Sequence, residues 1–129
     1  MADHAISDTV TIRVDRFRRW LPQLVAATAE IGCMDATELV APCRIGWNIK
    51  LRAAIILAAV DVFGKSWSEI GRALGGRNHA TMRHTYKTAE RLAQHDAEFQ
   101  KLSQLILAVA REIARRPAMT VEIEPELPL

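Results

Sequence analysis

The sequence predicts an all-α, helix-turn-helix domain of about six helices, with short extended or disordered termini. Three observations carry this. Half of the 129 residues are hydrophobic but only 5% are aromatic, and the abundant alanine favours helices. Apolar residues recur at intervals of three and four along several segments, the spacing of one helical face. Acidic residues three positions after Ser or Asp, and glycines between the periodic segments, mark where helices start and stop.

Taken in order, residues 9–14 (Thr-Val-Thr-Ile-Arg-Val) alternate in polarity, which suits a strand, and a basic stretch with Arg16, Arg18 and Arg19 follows. Pro22 fits the first turn of a helix running to about Ile31, with Leu21, Leu24, Thr28 and Ile31 on one face. Asp35 and Glu38 form a capping-box variant that opens a short helix through Val40. Residues 42–48 read as a loop around Gly46. Ile49, Ala53, Ile56, Val60 and Phe63 form one apolar stripe on the next helix, which Gly64 ends. Ser66 and Glu69 form a second capping box, starting a short helix that buries Trp67, Ile70 and Leu74. Gly75-Gly76 breaks it, and Asn78 caps a longer helix with Met82, Thr85, Ala89 and Leu92 inside. Asp96 caps the last helix, with Phe99, Leu102, Ile106, Val109 and Ile113 in register until Pro117. Residues 119–124 alternate again, and an antiparallel ribbon with residues 10–14 would set Arg13 opposite Glu122 or Glu124. The domain is thus expected over residues 20–116, between an arm (1–19) and an acidic tail (117–129).

The charge is unevenly placed. Residues 44–93 carry nine Lys/Arg against three acids, while residues 117–129 carry only three Glu. A basic centre between acidic ends suits contact with a polyanion in one place. Cys33 and Cys43 are too few for a disulfide framework or a four-cysteine zinc site, and are expected to pack in a reduced, cytoplasmic protein. The longest apolar run, residues 53–60, is far short of a membrane span. His79 and His84 are five apart and do not share a helical face, so no metal site is expected. No nucleophile stands beside a base by spacing. Neither a cofactor nor an enzymatic activity is expected.

Residues 66–92 have the grammar of a helix-turn-helix: a short capped helix, a glycine turn and a longer helix. The second helix opens on Arg77, Asn78, His79, Ala80 and Thr81, followed by Arg83, His84 and Lys87. Small and polar groups at the start of a recognition helix permit close approach to base edges in the major groove.

The run Ile70-Gly71, Gly75-Gly76-Arg77, His79, Thr81, His84 and Lys87 resembles the signature of the C-terminal DNA-binding domain of the bacterial replication initiator DnaA. The resemblance extends over roughly residues 20–107. It implies a Trp-repressor-like architecture that reads a short duplex box, with double-stranded DNA as the partner at the nucleoid. Carried over residue by residue, it puts a minor-groove arginine at Arg52, a basic loop at Arg44 and Lys50, and a phosphate arginine at Arg77. The base-reading positions fall on Asn78, His79, Ala80 and Thr81. A Leu-Pro pair that packs on bases or backbone falls on Trp67 and Ser68. Arg83, His84, Lys65 and Lys87 complete the expected DNA-binding set.

Departures limit what the resemblance implies. The family has Asp where this chain has Asn78, Thr where it has Ala80 and Val where it has Met82, and the basic loop is thinner. There is no G-x-x-x-x-G-K-[ST] phosphate loop and no room for an ATPase domain, so the likeness is to the DNA-reading module standing alone, with a regulatory role in transcription or replication initiation. The rival expectation is a protein-interaction module whose helix-turn-helix no longer reads bases, with the termini binding a partner or a second copy.

Overall fold

A computed structural model describes residues 10–14, 20–42, 46–115 and 119–123. The remainder of the arm and tail, the expected DNA contact at Arg44 and the expected packing of Cys43 lie outside the described residues. The architecture is helical, in the order β1 (Val10–Val14), α1 (Trp20–Ile31), α2 (Ala36–Val40), α3 (Gly46–Asp61), α4 (Trp67–Ala73), α5 (His79–His95), α6 (Ala97–Arg115) and β2 (Met119–Ile123).

Helix α3 is the axis of the fold. It packs on α6, α5, α1 and α2, and every residue from 51 to 59 is buried. A helix apolar on all sides belongs in the interior, so the single stripe expected from Ile49 to Phe63 understates its burial. Ile49, placed on that stripe, is exposed. The helix also starts three residues earlier than expected, at Gly46, which puts Trp47 and Asn48 in a buried first turn rather than in a loop. Its C-terminal end unwinds at Gly64, whose left-handed φ of 62° needs no Cβ.

Around this axis, α6 buries Phe99, Leu102, Ile106, Val109 and Ile113, the face expected from its periodicity. Asp96 caps it by accepting from the Phe99 amide at 3.2 Å. Helix α1 buries Leu21, Leu24, Thr28 and Ile31, with the Thr28 hydroxyl donating to the Leu24 carbonyl at 2.7 Å. The strands β1 and β2 pair antiparallel and lie against α1 and α6. Their register sets Arg13 opposite Thr120, and Thr11 opposite Glu122. The expected Arg13–Glu122 or Arg13–Glu124 facing pair is therefore displaced by two residues or more.

Helix α1 ends on a left-handed residue that is not glycine. Cys33 has φ 57°, while its amide donates to Glu30 O and the Met34 amide to Ala29 O, at 3.0 and 2.9 Å. That pattern is a Schellman cap with cysteine at the position glycine usually fills. Cys33 is exposed, so the expectation that it packs is corrected: the backbone turn, not burial, determines its surroundings. Cys33→Gly is expected to stabilise the chain by about 0.5–1 kcal/mol, because relief of left-handed strain outweighs the added chain entropy. Chemical denaturation would register this as a higher midpoint at unchanged slope.

Candidate nucleic-acid interface

Helix α4, the turn at residues 74–78 and α5 form a helix-turn-helix. Ser66 starts α4: its hydroxyl accepts from the Glu69 amide at 3.2 Å, and Glu69 Oε1 accepts from the Ser66 amide at 3.1 Å. The Ser66 amide, and after it the Ser66 hydroxyl, which also donates to Glu69 Oε1 at 3.1 Å, hold the Glu69 carboxyl below its ordinary pKa. The turn is built on two left-handed glycines, Gly75 at φ 87° and Gly76 at φ 79°. The amides of Gly76 and Arg77 both donate back to the Gly71 carbonyl, at 2.9 and 2.8 Å. This brings the Arg77 carbonyl oxygen against Gly71 so closely that a Cβ there would overlap it. Helix α5 then opens on Asn78, whose side-chain oxygen accepts from the Ala80 amide at 2.7 Å, an N-cap.

The 17-residue helix α5 buries only Met82 and Ala89. Its hold on the body comes through these, through Trp67 packed on the Tyr86 ring at 5.4 Å, and through the Tyr86 hydroxyl, which donates to Asp61 Oδ1 at 2.8 Å. Desolvation, then Asp61, pushes the Tyr86 phenol well above its ordinary pKa. The other side of the helix is open. Asn78, His79, Ala80, Thr81, Arg83, His84 and Lys87 are all exposed, as is Ser68 on α4. Neither Arg83 nor Lys87 forms an ion pair among the described residues.

Other expected contacts are placed differently. Lys50 bridges Glu98 at 2.9 Å and Asp96 at 3.1 Å, and the hydrogen bond to Glu98 first among its surroundings raises its pKa. Arg52 is 8% exposed and donates from Nη1 to the Leu39 carbonyl at 3.0 Å. Arg77 is half-buried: Nη1 donates to Val40 O at 2.8 Å and to Leu74 O, and Nη2 donates to Ala41 O at 3.0 Å. Burial lowers its pKa. Lys65 lies 3.9 Å from Glu69, one turn on, a surface pair of little energetic weight. Among the described residues, the expected cations thus fall into an exposed set on α5 and a set already bonded within the fold.

Two residues were missed, and the first is Arg91. Ala80, His84, Lys87 and Arg91 follow steps of four, three and four, and all four are exposed. They form one outward line along α5, about 17 Å from first to last at 1.5 Å per residue. The same spacing rule that found the inner face would have found Arg91. Asn48 was also missed; its amide donates to the Glu38 carbonyl at 3.3 Å.

Among the described residues, no group of His, Cys, Asp or Glu is arranged as metal ligands, and no helix is long and apolar enough to cross a membrane. No family model matches the chain, and no solved structure matches it. A stretch of 102 residues, 79% of the chain, is 28% identical to the chromosomal replication initiator protein DnaA of Sphingopyxis alaskensis. The chain spans 22% of the length of that protein, so the likeness is to part of a replication initiator.

Proposed function

We propose that this chain binds duplex DNA sequence-specifically, with α5 as the recognition helix, and regulates transcription or replication initiation at the nucleoid. The observation that supports this most directly is the open face of α5. Its first turns offer small and polar side chains, and Arg83, Lys87 and Arg91 continue the same surface as cations. Such a helix can bring its N-terminal residues to base edges while flanking cations meet phosphates. The similarity to a chromosomal replication initiator adds weight, and the G-G-R-x-H-x-T run at residues 75–81 points to that protein's C-terminal DNA-binding domain.

Selection from random duplexes, followed by sequencing, tests the proposal. An enriched motif of several base pairs is the expected result. Roughly three to five phosphate contacts should give a log–log salt slope of about −3 to −4.5. Binding without an enriched motif would reduce the function to non-specific DNA association. No duplex binding at low salt would overturn it in favour of a protein-interaction module.

A further inference from the structure

The C-terminal end of α2 ties three elements together. A helix leaves its last carbonyls without intrahelical donors, and α2 has only five residues. Here four successive carbonyls each receive a side-chain donor. Asn48 Nδ2 serves Glu38 O at 3.3 Å, and Arg52 Nη1 serves Leu39 O at 3.0 Å. Arg77 serves the next two, Val40 O at 2.8 Å and Ala41 O at 3.0 Å. Asn48 and Arg52 stand one turn apart on α3, whereas Arg77 sits immediately before α5. Arg77 also donates to Leu74 O, at the end of α4. Gly75 permits this junction: a Cβ there would lie 2.6 Å from Val40 O and 3.2 Å from Arg77 Nη1.

Two guanidinium groups at the negative end of a helix dipole are in a favourable place. A planar fork with five donors can bridge carbonyls of separate segments, which a lysine ammonium on a flexible stem does less well. Withdrawing Arg77 to meet a phosphate would strip donors from carbonyls of α2 and α4 together, leaving them unsatisfied.

We infer that Arg77 and Arg52 are positioning residues rather than nucleotide contacts: they lock α2 and the first turns of α3 to the turn before α5, and so set the angle at which α5 meets the duplex. This rests on the DNA-binding function proposed above. The two arginines that look most like DNA ligands in the sequence are withdrawn into the scaffold, and α5 itself carries the contacts.

The test combines salt-dependent duplex binding with amide hydrogen exchange of the free protein, for the native chain, Arg77→Lys and Arg77→Gln. Arg52→Lys serves as a second site in the same junction. Positioning predicts that both Arg77 variants lose affinity roughly tenfold, through lost preorganisation, with the salt slope unchanged. It also predicts exchange roughly tenfold faster at the Ala41, Gly76 and Arg77 amides without DNA. Arg52→Lys should show the same pattern of weakened binding at constant slope. A phosphate contact would behave differently. Arg77→Lys would then bind nearly as the native chain does, and Arg77→Gln would reduce the slope by about 0.9. That result, or unchanged exchange at the three amides, overturns the inference and leaves DNA binding standing. A native chain that binds no duplex overturns both.

Discussion

Replacing Gly71 by alanine is expected to destabilise the chain by about 2–4 kcal/mol, a fall in melting temperature of roughly 10 °C. Gly71 lies inside α4, where intrinsic propensity alone would favour alanine by about 1 kcal/mol. The sign reverses because the new Cβ would overlap the Arg77 carbonyl oxygen. That carbonyl cannot retreat cheaply. The Arg77 and Gly76 amides are hydrogen-bonded to Gly71 itself, so moving the turn breaks both bonds and shifts the start of α5. Duplex affinity should fall with the stability. Gly76→Ala provides the contrast: its added Cβ meets open space, and only the left-handed φ of 79° is strained, a cost of about 1–2 kcal/mol. Thermal unfolding followed by circular dichroism checks the pair. A Gly71→Ala chain at least as stable as the native one would show that the turn does not depend on this close approach.

Exchanging Asn78→Asp together with Ala80→Thr is expected to redirect base preference by about 1–3 kcal/mol per altered contact, with little change in stability. Asn78 has two possible tasks, and its N-cap bond to the Ala80 amide makes them separable. Aspartate keeps an oxygen acceptor at the same place and is an equally good N-cap. As a base reader it differs, because an ionised carboxylate only accepts and suits the cytosine amino group. An asparagine also donates, which suits adenine. Threonine at position 80 restores a hydroxyl beside the methyl that alanine offers to thymine. The double variant should therefore select a motif altered at one or two base pairs while unfolding within about 0.5 kcal/mol of the native chain. Asn78→Ala should lose about 1 kcal/mol of stability with its cap. An unchanged motif in the double variant would mean that Asn78 caps α5 and reads nothing.

Much of the helical plan is visible in the chain because its signals are local. The box at Ser66 and Glu69, the cap at Asp96 and the stripe from Phe99 to Ile113 each involve residues within one helix, and the fold retains them. The start of α3 is not local. Trp47 and Asn48 are buried by neighbouring elements, so polarity within residues 42–48 could not reveal that the helix begins at Gly46. Ile49 shows the converse: periodicity places it inside, and the packing leaves it exposed.

The same division runs through the interface. The order of residues alone sets a capped short helix, a Gly-Gly turn and a polar longer helix, and hence which side chains lie on the outward line of α5. Helical spacing is enough for that, since residues three and four apart share a face whatever surrounds them. Charge is different, because an arginine looks the same in sequence whether it faces solvent or a carbonyl. Only the tertiary structure assigns Lys50 to Asp96 and Glu98, Arg52 to Leu39, and Arg77 to Val40, Ala41 and Leu74. These partners are 13 to 48 residues away in the chain, apart from the local Leu74. The free energy of each cation depends on the acceptors that folding brings beside it.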